Sequence, residues 1–249
     1  MTFFKMYAFH LRRYGSQSYF FFLVLTSTVG LLLLRYLVQY ATGSLLTGQD
    51  VMTAAFFGMW NSAVTAAGIL HFQRSQGVLV YLVNASKNAW QALAALVSSS
   101  ATFGLIALPI AILTTFVLNG GSWPAISSQS IALLFFFWLS ALPITYVLAS
   151  LFLLSQNAFV YESLFVTPLL ILSGLFGQNL LQGSILGKVA PLIPVRWPIQ
   201  LLKNGNGWSF SGFLFWFIVM IFWLGQPCPS NRFETDSGDR RTGGALNVG

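Results

Sequence analysis

Tyr19-Phe-Phe-Phe-Leu-Val-Leu-Thr-Ser-Thr-Val-Gly-Leu-Leu-Leu-Leu-Arg-Tyr-Leu-Val38 is a run of twenty residues with one charge, Arg35. A helix rises about 1.5 Å per residue, so a hydrocarbon core about 30 Å thick needs roughly 20 such residues. The run reads as a membrane span, and the composition extends that reading to the whole chain. Of 249 residues, 56% are apolar, 16% aromatic and 7% charged, where a soluble domain carries about 25% charged residues. Too few charges remain to clothe a water-soluble globule of this size. Apolar content argues against disorder, and a single cysteine, Cys228, excludes a disulfide framework.

Working outward, five more apolar stretches follow: Val51–Leu70, Gln91–Leu118, Ile131–Leu154, Phe159–Gly177 and Phe210–Leu224. The expected fold is an all-α membrane protein with six transmembrane helices. Pro109, Pro143 and Pro168 fall inside spans three, four and five, where each removes a backbone donor and marks a kink or break. Before the first span, Phe3, Phe4, Tyr7, Leu11 and Tyr14 fall within one helical face, while Lys5, Arg12 and Arg13 lie away from it. Residues 1–17 therefore read as an amphipathic interfacial helix on the cytoplasmic leaflet. A cleaved secretory signal fits less well, because the apolar run is too long and no small-residue cleavage site follows. Residues 18–225 are expected to form the six-span transmembrane domain and residues 226–249 a polar C-terminal tail.

The expected sidedness is a multi-pass protein of the cytoplasmic membrane with its N-terminus inside. Eight Lys and Arg then fall on the inside and four on the outside, as the positive-inside rule requires. Without the tail the inside excess falls to a single residue. The formal charge of +7 comes from Lys and Arg scattered between apolar runs. Such scatter fits loops held at anionic headgroups, with membrane lipids and no nucleic acid as partners.

Two segments between spans carry more specific information. On the inside, His71-Phe-Gln-Arg-Ser-Gln-Gly-Val-Leu-Val-Tyr-Leu-Val-Asn-Ala-Ser-Lys-Asn88 is longer than a tight turn needs. Leu79, Leu82 and Val83 share an i, i+3, i+4 face, which predicts a short amphipathic helix beginning after Gly77. On the outside, Leu172 to Lys203 is too polar and too broken by Gly and Pro to span, yet too apolar for a solvated loop. Short helices dipping into the outer leaflet suit it, with Trp197 at the interface and Arg196 and Lys203 near headgroups.

Both segments, in this order, resemble those of type-2 permeases of ABC exporters, and the layout is closest to daunorubicin-resistance-type drug export permeases. The first is similar to that family's cytoplasmic coupling segment, with Gln73, Arg74, Gly77, Leu79, Leu82, Asn84 and Ala85 in matching places. Gln73 stands where the family carries an acid, Val78 where it carries Thr, and Ala85 where Pro is common. The second is similar to the family's re-entrant hairpin before the last span, with Ser173, Gly174, Phe176, Pro194, Trp197 and Leu201 in its places. A further Pro that the family often has near Gln178–Gln182 is missing.

The resemblance, covering about residues 1–225, implies a fold of six spans, a coupling helix and an extracellular re-entrant hairpin. It implies two partners: a cytoplasmic ABC ATPase subunit, which holds ATP and magnesium, and a second permease subunit, identical or different. It implies outward movement of an amphipathic or drug-like substrate, with lipid-linked glycans or cations as alternatives within the family. Phe135, Phe136, Trp138 and Glu162 are candidate residues of the substrate route, the aromatics by their cluster in span four and Glu162 by its place where span five begins.

No cofactor and no enzymatic activity is expected in the chain itself. Its nearest approach to a phosphate loop, Gly183-Ser-Ile-Leu-Gly-Lys-Val189, has three residues between its glycines and Val after Lys, where a working loop needs four and Ser or Thr. His10 and His71 have no carboxylate or Cys beside them in sequence, so no metal site is expected. Asp50 and Glu162 read first as interfacial residues near helix ends, and only second as proton carriers. A membrane-embedded enzyme would need clustered Asp, His or Cys at span ends. An ion-driven secondary transporter would show internal repeats and buried ionisable groups. The sequence offers neither.

The tail differs from all of this. Residues 1–225 hold nine Lys and Arg against two acids, whereas residues 226–249 hold three of each. Helical periodicity stops at Gln226-Pro-Cys-Pro229, and span six from Phe210 would reach only about 22 Å before it. The expectation is that this end is frame-shifted, truncated or engineered.

Overall fold

The computed structural model describes residues 3–84, 89–154, 164, 167–176, 190–204 and 218. Among them every regular element is helical. In chain order these are α1 (Phe3–Gly15), α2 (Ser18–Thr42), α3 (Gly48–Ser75), α4 (Val78–Asn84), α5 (Ala89–Ala101), a 3₁₀ segment (Thr102–Ile106), α6 (Ala107–Leu118) and α7 (Ser128–Leu154). A short helical stretch at 167–172, a 3₁₀ turn (Ala190–Leu192) and α8 (Arg196–Asn204) complete the set.

Four segments are long and apolar enough to cross a membrane: Ser18–Thr42, Gly48–Ser75, Ala89–Leu118 and Ser128–Leu153. They coincide with the first four expected spans, and they make the chain an integral membrane protein. Of the expected fifth span, residues 167–172 are helical and stop at Ser173. The expected sixth span (residue 218 apart), the stretch 177–189 and the tail lie outside the described residues.

α3 is the axis of the bundle. Its apolar window is 78% buried, against 22% for α2, and it packs against α7, α2, α5 and α6. Small residues allow this. Ala54, Gly58, Ser62 and Ala66 repeat every fourth position along one side of α3, the spacing that lets helix backbones approach closely in lipid. Thr28 of α2 and Ala107 of α6 fill the notch over Gly58, and Gly104 of the 3₁₀ segment rests on Met59 and Ser62. On the α7 side the rings of Phe56 and Phe137 stack at 4.5 Å, 7° from parallel.

At the end where α2 finishes, loops are tied by polar contacts. Thr47 and Asp50 form a capping box at the start of α3. Asp50 also accepts a hydrogen bond from Gln39 Nε2 at 2.8 Å and lies 3.7 Å from Arg35. Asn119 bonds both backbone groups of Leu46, at 3.1 and 3.0 Å. Asp50 thus works as a helix cap and ion-pair partner, in keeping with its first reading.

Two local expectations change. The third span is interrupted at Thr102–Ile106, ahead of Pro109. Pro109 then lies in the first turn of α6, where its missing donor leaves no helical bond unmade, while Pro143 sits within α7. In α1, the buried row is Met6, His10 and Tyr14, with Phe3 and Tyr7 beside it. Met6 packs on Ala92 and Ala95 of α5, and Tyr7 Oη meets Thr102 Oγ1 at 2.7 Å. Phe4, expected on the same face, is 79% exposed. The alanine surface of α5 receives the Met6 side of the helix, and that rotation turns Phe4 out.

Burial against α5 lowers the pKa of His10, and the nearby Arg13 lowers it further. α5 contributes no ionisable group to that contact. The neutral ring is therefore the form that fits. Docking of α1 is expected to be undiminished above the ordinary histidine value of 6.5, to weaken as pH falls below it, and to stop weakening once pH is under the lowered value. Amide exchange of α1 followed from neutral to acidic pH checks this, with His10→Leu expected to flatten the profile.

Candidate functional site

The end of the bundle that carries α1 also carries the α3–α4 junction, which holds the residues expected to couple to a partner. Three contacts fix this junction to the bundle. Gln73 Nε2 donates to Tyr14 Oη of α1 at 3.3 Å. The Arg74 guanidinium donates to the carbonyl of Leu153 in the last turn of α7, where a cation also meets the negative end of the helix dipole. Gly77 then turns the chain with φ +72°, a conformation that a side chain makes costly.

α4 follows at once and divides into two faces. Leu79 is buried and Leu82 and Val83 are half-buried against the core. Val80, Tyr81 and Asn84 point the other way, Val80 49% and Tyr81 78% exposed. The i, i+3, i+4 face read from the sequence is real, and it is the inward one. Leu79 and Leu82 hold α4 to the bundle, Gln73 and Arg74 brace its base, and Gly77 makes the turn. Of the six expected residues only Asn84 belongs to the outward face of α4. Val80 and Tyr81 were missed, although the same helical wheel that buries Leu79 and Leu82 places them outside. Ala85 and Lys87 lie outside the described residues.

The second expected region begins where the short helix at 167–172 ends. Ser173 N bonds the Leu169 carbonyl at 2.9 Å, and Gly174 follows with φ +77°. This is a helix C-terminus closed by a left-handed glycine. Lys203 of α8 reaches across to it, its Nζ donating to the carbonyls of Gly174 and Leu175 at 2.7 and 2.8 Å. Burial and, after it, the positive Arg35 depress the Lys203 pKa. Pro194 is buried and Trp197 half-buried on the same segment. Phe176 meets Phe57 edge-on at 5.9 Å. Phe57 lies nine residues into α3, so this turn sits about 13 Å down the bundle from the end where α3 starts. Lys203, expected only near headgroups, is the residue that ties the two halves of the segment together.

The third region is span four. Phe135 and Phe136 lie on the outer face of α7, 54% and 45% exposed, and Trp138 packs beside Phe135 at 5.6 Å. Phe137, between them, is the one that enters the core. Glu162 lies outside the described residues. Asp50 is the sole carboxylate side chain among the described residues, and these contain no group of three potential metal ligands.

The chain is a helical integral membrane protein that carries a short helix with an exposed outer face on a braced junction. No protein-family model, curated protein or solved structure matches it.

Proposed function

We propose that the chain is the membrane permease subunit of an ATP-driven exporter of the type-2 ABC class, with six spans and a re-entrant hairpin before the last. A cytoplasmic ATPase subunit docks on α4 and supplies the ATP chemistry. A second permease subunit completes the transporter, and an amphipathic, drug-like substrate moves outward. The observation that carries this reading is the geometry of α4. A seven-residue helix, bonded through its base to α1, α3 and α7, presents Val80, Tyr81 and Asn84 away from the bundle. A load placed on that face passes directly into three helices.

The turn at Ser173–Phe176, part-way down the bundle, supports the hairpin. So does the latch from Lys203. An ion-driven transporter finds less support, because Asp50, the sole described carboxylate, is occupied in a helix cap.

The test is co-purification of this chain with a cytoplasmic ABC ATPase subunit. Gly77→Val strains the φ +72° turn and Leu82→Asp undercuts the inner face of α4; both are expected to leave the ATPase bound while substrate no longer stimulates its hydrolysis. Unchanged stimulation in both variants, or no ATPase recovered with the unaltered chain, would overturn the reading.

A further inference from the structure

The two sides of α1 make different demands on their surroundings. The inner row (Met6, His10 and Tyr14) is buried, with Met6 on α5 and Tyr14 bonded to the end of α3. Nothing among the described residues satisfies the outer side. Phe4 is 79% and Phe9 59% exposed, and Lys5, Arg12 and Arg13 are exposed among them. None of these cations has an acidic partner among the described residues. The sole described carboxylate, Asp50, sits at the far end of α2, a helix of 25 residues and hence about 37 Å long.

The level of α1 relative to the bilayer follows from its connection to α2. Ser16 and Gln17 alone separate the two helices. The first turns of α2 then show Tyr19, Phe21 and Phe22, 61%, 44% and 57% exposed, so hydrocarbon begins within a turn or two of α1. A bilayer fitted to those residues would place headgroup phosphates at the level of Lys5, Arg12 and Arg13, and acyl chains just below, within reach of the exposed phenylalanines. A polyanion such as nucleic acid would answer the charges but leave Phe4 and Phe9 in water.

We propose that the outer side of α1 is a binding surface for anionic phospholipid headgroups of the leaflet it faces. This names the lipid class for the interfacial helix, and it stands whether or not α4 binds an ATPase. Lys5, Arg12 and Arg13 take the phosphates, while Phe4 and Phe9 enter the acyl boundary. Because the opposite side of the same helix bonds Thr102 and Gln73, headgroup charge is felt at the 3₁₀ segment and at the α4 junction.

The experiment uses the full chain with Cys228→Ser and a fluorophore on Ala8→Cys, an exposed position of α1. The protein is reconstituted in vesicles of phosphatidylcholine and phosphatidylglycerol in equal parts, with bromine on the acyl chains of one lipid or the other. Brominated phosphatidylglycerol is expected to quench more strongly than brominated phosphatidylcholine. The preference should fall about fivefold for each of Lys5→Gln, Arg12→Gln and Arg13→Gln, and should shrink with added salt. Phe4→Ala with Phe9→Ala should reduce quenching by both lipids alike. Equal quenching by the two lipids overturns the proposal, as does a preference that survives the triple charge variant, or loss of quenching when a DNA oligonucleotide is added. Thermal unfolding of the triple variant should match that of the parent, since its three side chains are exposed; a lowered midpoint would place them in the fold instead.

Discussion

Gly58→Val is expected to separate α3 from α2 and α6 and to be the most damaging single substitution in the bundle. A Cβ at this position would fall well inside van der Waals contact distance of Thr28 Oγ1 and stand 3.0 Å from Ala107 Cβ. Thr28 is fully buried and branched at Cβ, so it has little freedom to move aside. Ala107 lies on the other wall of the same notch, so α3 cannot escape the first clash without deepening the second. Overpacking of this kind costs about 1–3 kcal/mol for one methyl group and more for a branched side chain. Gly58→Ala should therefore lower the unfolding midpoint in detergent by several degrees, and Gly58→Val should prevent a cooperative transition. Thr28→Ala in the Gly58→Ala background should recover most of the loss. If both glycine variants melt like the parent, the three-helix crossing has been misplaced.

Tyr81→Asp should have the largest functional effect. Tyr81 is the most exposed large apolar side chain on α4, at 78%, and it stands beside Val80 at the outer apex of a helix whose other side is committed to the core. Aromatic anchors at the centre of an interface are worth about 2 kcal/mol or more, roughly thirtyfold in Kd, and a carboxylate in the same place adds desolvation cost. The variant should leave folding and membrane insertion unchanged and lower recovery of the bound ATPase at least tenfold. Tyr81→Phe should retain most binding, because the ring supplies the contact. Wild-type recovery with Tyr81→Asp would move the docking surface away from α4.

The first four spans were legible in the sequence because hydrocarbon selects for continuous apolar length. What faces what inside them was much less so. Lipid and a neighbouring helix are equally apolar, so hydropathy cannot tell Phe137, stacked on Phe56, from Phe135 and Phe136 on the outer surface of the same helix. The same ambiguity affected α1, where Phe4 was grouped with the protein-facing residues. There the deciding partner was the smooth alanine surface of α5, which accepts Met6 and His10. At α4 the periodicity was right about the face and silent about its direction, because only the packed bundle says that Leu79 points in. Lys203 was beyond reach for another reason. Its acceptors, the Gly174 and Leu175 carbonyls, are backbone groups about thirty positions away in sequence, and no side-chain pattern announces them.

The interruption at Thr102–Ile106 bears on angle as much as on straightness. An α-helix turns about 100° per residue and a 3₁₀-helix about 120°. Five residues at the tighter pitch advance α6 by about 100° beyond where an unbroken helix would place it and lengthen the path by about 2.5 Å. The interruption thus acts as a phase shift of one residue. Beyond it, Ala107, Ala111 and Thr115 of α6 face inward and Leu113 and Val117 outward. If those five residues relaxed to α pitch, α6 would rotate like a key by about 100°, presenting a different side to its neighbours without bending.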